Sequence, residues 1–168
     1  RGDDRIHLNF RASDYNATGN SKIDLRGGEG KDEIHVFSNR IQAYGGEHTF
    51  NSSGDAGDDY LSFRLFNAWG RLAINASGGE GNDRIKIDTK YLASGKINAD
   101  GGSGNDHITV TGRDTRPNSQ INVQAGSGND TINITEETTG KSNEQSSNYG
   151  FGNVAVTAGS GDDLISVS

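Results

Sequence analysis

The chain has 168 residues, of which 25 are glycine and only 30% are hydrophobic, and its formal net charge is −7. Such a composition indicates disorder or a poor core unless the few apolar residues are regularly placed. The acidic balance disfavours nucleic-acid partners, and the absence of cysteine excludes disulfide bonds. No apolar run is long enough to span a membrane, and no signal-peptide segment is found. We predict a single domain over residues 1–168.

A ten-residue unit recurs along the chain. In chain order, the fragment GDDRIHL at 2–8 is followed by GGEGKDEIHV at 27–36, GDAGDDYLSF at 54–63, GGEGNDRIKI at 78–87, GGSGNDHITV at 101–110, AGSGNDTINI at 125–134 and AGSGDDLISV at 158–167. Position four of the unit is always glycine, and position six is always aspartate: Asp4, Asp32, Asp59, Asp83, Asp106, Asp130 and Asp163. These aspartates are separated by 28, 27, 24, 23, 24 and 33 residues. A repeat of this length is typical of a solenoid.

The apolar residues follow the phase of the unit. Positions eight and ten are apolar in every copy: Ile6/Leu8, Ile34/Val36, Leu61/Phe63, Ile85/Ile87, Ile108/Val110, Ile132/Ile134 and Ile165/Val167. The segment before each complete unit alternates as well, from Ile23/Leu25 to Val154/Val156. Alternation with a period of two predicts half-buried β-strands. We therefore predict an all-β solenoid, a parallel β-roll or β-helix in which each coil is a strand, a Gly–Asp turn, a second strand and a variable return.

Two return segments differ from the others. AYGGEHT at 43–49 keeps a glycine pair without the following aspartate, and we interpret it as a decayed turn. The polar stretch at 135–150 accounts for the longest spacing, and we predict a loop excursion from the solenoid there.

The aspartate at position six raises an electrostatic question. An isolated Gly–Asp turn needs no further explanation, because glycine and aspartate are common turn residues. If the coils stack in register, however, the carboxylates form a file with neighbours roughly 5 Å apart. Each adjacent pair then repels by about 1 kcal/mol in water and about 3–4 kcal/mol at an effective dielectric of 20. We therefore expect cations between the coils.

Calcium is the cation that best suits these residues. It takes six to eight oxygen ligands in flexible geometry, from carboxylates and backbone carbonyls. Zinc prefers cysteine and histidine, and the four histidines show no paired spacing typical of a zinc site. Position five is Asp or Asn in six copies, and we interpret these residues first as turn formers and only second as ligands: Asp3, Asp58, Asn82, Asn105, Asn129 and Asp162.

The unit resembles the calcium-binding nonapeptide GGxGxDxUx of the RTX (repeats-in-toxin) family, in which U is a large apolar residue. Residues 27–35, 78–86 and 101–109 match it fully, whereas the copies at 125 and 158 begin with alanine and the copy at 54 has Asp55 for the second glycine. The resemblance implies a parallel β-roll that holds calcium with the position-six aspartates and the surrounding glycine backbone. The glycines are Gly2, Gly27, Gly28, Gly30, Gly54, Gly57, Gly78, Gly79, Gly81, Gly101, Gly102, Gly104, Gly126, Gly128, Gly159 and Gly161.

The chain departs from that family in its spacing. Two tandem nonapeptides make a coil of about 18 residues with calcium turns on both sides, whereas this chain has one good turn per coil. We therefore expect one file of about four to six calcium ions, with irregular returns on the opposite side. The terminal turns and the turns that lack a glycine are expected to bind more weakly.

The resemblance also implies a function. RTX proteins are bacterial, leave the cell by type I secretion and fold in external calcium, and their repeat blocks are folding modules of toxins, adhesins, proteases and lipases. We expect this chain to be such a structural module, secreted and part of a larger polypeptide.

Two other functions are considered. The returns carry aromatic and basic residues that suit a glycan or host-cell surface, as in an adhesin: Phe66, Trp69, Tyr91, Arg64 and Arg71. Parallel β-helices also host polysaccharide lyases and epimerases, but no nucleophile–base arrangement is found here. We therefore expect no enzymatic activity.

Overall fold

The structure, a computed structural model, describes residues 2–10, 19–137 and 150–168. These residues contain strands and no helix, and hence no helix that is long and apolar enough to cross a membrane. The strands in chain order are β1 (Arg5–Phe10), β2 (Ser21–Glu29), β3 (Glu33–Ser38), β4 (Ile41–Ala56), β5 (Tyr60–Phe66), β6 (Ala68–Glu80), β7 (Arg84–Lys90), β8 (Ser94–Ser103), β9 (His107–Arg113), β10 (Gln120–Ser127), β11 (Thr131–Glu137), β12 (Asn153–Ser160) and β13 (Leu164–Val167).

The strands form two parallel sheets. The first sheet has the order β1-β3-β5-β7-β9-β11-β13, and the second has the order β12-β10-β8-β6-β4-β2. Each coil thus gives one strand to each sheet, and every pairing is parallel. The register keeps the phase of the repeat, so that Ile85 lies beside Ile108 and Asn75 beside Asn98. The predicted all-β parallel β-roll is confirmed.

The hydrophobic core lies between the two sheets. Positions eight and ten of the five central units are buried there, including Ile85 and Ile108 at 0% exposure. They pack against the inward residues of the second sheet, such as Ile74 and Ile97. The last coil has a neighbour on one side only, and Ile165 is 44% exposed for that reason. A narrow core shared between coils explains how a chain with so few apolar residues folds.

The structure describes the two unusual return segments, 43–49 and 135–150, to different extents. Residues 43–49 lie inside β4, and the register with β6 shifts between Gln42 and Glu47, at the glycine pair interpreted as a decayed turn. Residues 43–46 have no partner on β6, and the pairing resumes at Glu47. Of the excursion predicted at 135–150, residues 135–137 belong to β11, and 138–149 lie outside the described residues.

Candidate metal site in the stacked Gly–Asp turns

The Gly–Asp turns, which are positions one to six of the unit, stack along one edge of the roll. Each complete turn joins a strand of the second sheet to the following strand of the first sheet. Hydrogen bonds connect every turn to the next across all six gaps. The stacking brings together aspartates that are 23 to 33 residues apart in sequence.

The position-six aspartates form a hydrogen-bonded ladder. In each gap, the Oδ1 atom of one aspartate accepts the backbone N–H of the aspartate in the preceding coil. The donor–acceptor distances are 2.7 to 2.9 Å, for the pairs Asp4–Asp32, Asp32–Asp59, Asp59–Asp83, Asp83–Asp106, Asp106–Asp130 and Asp130–Asp163. The five central side chains are buried, at 0 to 2% exposure. The carboxylates therefore point into the roll instead of into solvent.

The second carboxylate oxygen has no partner. In all five central aspartates the Oδ2 atom is buried without a hydrogen bond: Asp32, Asp59, Asp83, Asp106 and Asp130. This oxygen lies against the position-one residue of the same turn, where a Cβ on Gly78, for example, would overlap Oδ2 of Asp83. The same overlap would occur at Gly27, Gly54 and Gly101. Glycine at position one thus makes room for the inward carboxylate in these four turns, a role that the sequence alone does not reveal, whereas Ala125 takes this position in the turn of the equally buried Asp130.

Glycines at positions two and four bring neighbouring backbones close together. Gly104 has φ of +122°, and a Cβ there would overlap the carbonyl oxygen of Gly81 in the preceding coil. Asp55 takes the same left-handed region at position two, with φ of +76°. Among the described residues, no N–H group donates to the position-four carbonyls of the central turns. These oxygens are free to accept a further ligand.

Position five carries a second ladder that runs in the opposite direction. Here the side-chain oxygen of one coil accepts the backbone N–H of the following coil, at 2.8 to 2.9 Å in five gaps: Asp3–Lys31, Asp58–Asn82, Asn82–Asn105, Asn105–Asn129 and Asn129–Asp162. These side chains are exposed. Their oxygens are committed to the turns, which agrees with the interpretation of position five as a structural position.

Burial raises the pKa of three of the inward carboxylates, Asp59, Asp83 and Asp106. It raises the pKa of Asp83 to about 7 and that of Asp106 to about 6, because the charged form loses its hydration. The backbone N–H bonded to each oxygen opposes the shift, and the neighbouring carboxylates add to it. The pKa of Asp59 is raised for the same reason. The charged carboxylates therefore carry two costs: the expected repulsion between neighbours along the file, and a larger penalty for the loss of hydration on burial.

The residues fit calcium only if the backbone takes part. No group of three or more His, Cys, Asp or Glu side chains able to hold a metal is found in the described parts of the chain. Each gap offers two carboxylates and the turn carbonyls, which is an all-oxygen donor set suited to calcium and poorly suited to zinc. In the end turns, Asp4 is exposed and Asp163 only half-buried, so these positions are less desolvated.

The aromatic and basic residues proposed for glycan binding contact other side chains of the roll. The Phe66 ring meets Phe37 edge-on at 6.4 Å, and the Lys90 ammonium lies 4.9 Å from the Tyr91 ring centre. Arg64 reaches Asp88 at 4.0 Å. Arg71 borders a small surface depression, and the side chain of Trp69 lies outside the described residues. Arg64 and Phe66 lie on β5, and Phe66 pairs with Lys90, the residue before Tyr91, so these three members of the set are neighbours.

Comparisons with protein-family models, with curated proteins and with solved structures found no match to this chain. The fold alone defines its class: an all-β solenoid of the parallel β-roll type.

Proposed function

We propose that the chain is a calcium-binding structural module of the RTX type, part of a secreted bacterial protein that folds when it meets calcium outside the cell. The observation that carries the proposal is the row of five buried, unpartnered Oδ2 atoms in consecutive turns. A buried carboxylate oxygen without a partner is costly. Five of them at equivalent positions indicate a recurring ligand of opposite charge.

Calcium supplies what these turns lack. An ion between two coils would be held by the position-six aspartates, while glycine carbonyls of the turns complete its coordination. Calcium accepts such irregular oxygen sets, whereas magnesium requires near-octahedral geometry and retains its waters. The ion would neutralise the file and offset the desolvation of the carboxylates.

The stabilisation expected from calcium binding is large enough to switch the chain between loose and rigid states. Extracellular calcium sites have dissociation constants of about 0.1–1 mM, so each gap adds about 0.4–1.4 kcal/mol at millimolar calcium. Six gaps together contribute several kcal/mol, which is comparable with the whole stability of a small domain. The chain would be loosely folded where calcium is scarce and rigid where it is abundant. This role needs no catalytic residue.

The decisive experiment is a calcium titration followed by circular dichroism, with EDTA reversal. We expect β-sheet signal and thermal stability to rise together with calcium and to return on chelation, while magnesium at equal concentration has little effect. Isothermal calorimetry should count four to six ions per chain. A calcium-free chain with the same spectrum, melting temperature and proteolytic resistance as the calcium-treated chain would refute the proposal.

A further inference from the structure

A polar groove runs along the outer face of the second sheet, on the side opposite to the core. Its volume is about 450 Å³. One wall is the row Asp24, Asn51, Asn75, Asn98 and Asn122, and the other contains Arg26, Ser53, Ser77, Asp100 and Gln124. The two rows occupy alternate outward positions of β2, β4, β6, β8 and β10. The position-six aspartates do not line this groove.

The first wall is a hydrogen-bonded side-chain ladder. The Nδ2 group of each asparagine donates to the side-chain oxygen of the preceding coil. The distances are 2.5 Å for Asn51–Asp24, 2.7 Å for Asn75–Asn51, 2.6 Å for Asn98–Asn75 and 2.9 Å for Asn122–Asn98. The row ends at β12, where Ala155 takes the equivalent position. The ladder holds the amide groups in one orientation and at one spacing.

The ladder leaves hydrogen-bonding capacity for a ligand. An amide has two N–H donors and two acceptor lone pairs, and the ladder uses one of each at Asn75 and Asn98. Each of these half-buried amides therefore offers one further donor and one further acceptor, repeated from strand to strand every 4.8 Å or so. Hydroxyl, carboxylate and amide groups on the opposite wall supply more partners.

We propose that this groove binds a linear, neutral polysaccharide laid along the axis of the solenoid. A sugar hydroxyl is both a donor and an acceptor, which matches the spare pair on each amide. A periodic wall suits a polymer with a periodic series of hydroxyls. The groove crosses five strands, a length of roughly 19 Å, so it accommodates several sugar residues.

The composition of the groove argues against other ligands. Among the described residues that line it, only Asp24, Asp100 and Arg26 are charged, and Lys22 already pairs with Asp24 at 3.2 Å. A polyanion such as nucleic acid meets no basic surface there, and the chain as a whole is acidic. Leu25 is the one large apolar residue among the described residues that line the groove, and Ser52, Ala76 and Ala99 take the equivalent positions in the next coils, so an apolar peptide gains little from burial.

None of the described residues that line the groove is aromatic, and this sets the expected strength of sugar binding. Hydrogen bonds that replace water contribute modestly, so a monosaccharide should bind very weakly. Each further sugar residue joins the same rigid row, so affinity should rise with chain length until the groove is full. Length dependence is therefore the signature of this site.

The test is an NMR titration of the intact chain in saturating calcium with glucose, cellohexaose, chitohexaose and mannohexaose. We expect at least one hexasaccharide to shift the side-chain amide signals of Asn75 and Asn98, and glucose to shift them far less. The double variant Asn75→Leu/Asn98→Leu should weaken binding about tenfold or more, because two bonding rungs are lost. The matched control is Asn133→Leu on the outer face of β11, which should bind as the unmodified chain does.

Three outcomes would overturn the proposal. They are no shift with any hexasaccharide, equal affinity for glucose and hexasaccharides, or equal binding by the double variant with its fold intact by circular dichroism. A single variant, Asn98→Leu, keeps the test interpretable if the double variant is unstable. The groove is tested in saturating calcium on a chain whose fold is checked by circular dichroism, whereas the calcium proposal is tested by titration and chelation without sugar, so the failure of one is distinguishable from the failure of the other.

Discussion

Replacing Asp83 with asparagine should change stability in opposite directions with and without calcium. Asp83 is 2% exposed, its Oδ1 atom accepts the N–H of Asp59, and its Oδ2 atom has no partner. Asparagine has nearly the same shape and keeps the Oδ1 acceptor. It removes the buried charge, and it also removes a carboxylate from two adjacent gaps. The loss of the buried charge changes stability without calcium, and the loss of the carboxylate changes stability with calcium. Measuring both separates the cost of burying Asp83 from its proposed role as a calcium ligand.

The magnitudes follow from the pKa of Asp83. Raising this pKa from 3.8 to about 7 corresponds to about 4 kcal/mol of penalty at pH 8, from about three pKa units at 1.36 kcal/mol each. The new amide N–H₂ group costs about 1–3 kcal/mol if it stays unpaired. Without calcium, Asp83→Asn should therefore stabilise the chain by about 1–3 kcal/mol. With millimolar calcium, the variant should lose about 1–3 kcal/mol of the stabilisation that calcium gives, because calcium binding is weakened in the two gaps beside residue 83.

Urea denaturation at pH 8, in EDTA and in millimolar calcium, measures both quantities. The control is Asp58→Asn. Asp58 precedes Asp59 in the chain, and the exposed side chain of Asp58 accepts the N–H of Asn82. Asparagine already fills this fifth position in three turns, so the control should leave both values nearly unchanged. An Asp83→Asn chain that is less stable in EDTA, or that gains as much from calcium as the unmodified chain, would contradict the reasoning.

Three further predictions concern pH, the turns and the core. In EDTA, the unfolding free energy should fall as pH rises from about 4 to about 7, because Asp83 and Asp106 hold their protons to about pH 7 and 6 when folded but release them near 3.8 when unfolded. A series of urea titrations measures this dependence, and a flat profile would contradict the prediction. Calcium should reverse the trend, because it competes with the protons for the carboxylates. Gly104→Ala should destabilise the chain by more than about 3 kcal/mol, since the new Cβ overlaps a neighbouring carbonyl at positive φ, whereas Gly19→Ala, with no atom within 4 Å, should change the melting temperature little. Ile85→Ala, at a fully buried position, should cost about 2–5 kcal/mol by chemical denaturation, and a loss under 1 kcal/mol would argue against a shared core.

The sequence by itself determined the repeat, the strands and the core. The ten-residue unit predicts a solenoid, and alternation within it predicts which side chains face inward, as Ile85 and Ile108 do. The first conclusion depends on the recurrence of the unit along the chain, and the second on an alternation that each coil displays by itself. The register between coils follows, because shifting one strand by a single residue would turn its apolar side chains out of the core.

Only the tertiary structure decided how the turn residues are used. The sequence suggests carboxylates in a file, but the direction of Asp83 depends on the space beneath Gly78 and on an N–H from another coil. The irregularity at 43–46 likewise became visible only in the pairing of β4 with β6, where the register shifts between Gln42 and Glu47. Likewise, Asn75 and Asn98 are 23 residues apart and join one ladder only after the coils stack. Burial, pKa and side-chain ladders arise from contacts between coils, so no single unit of the repeat contains them.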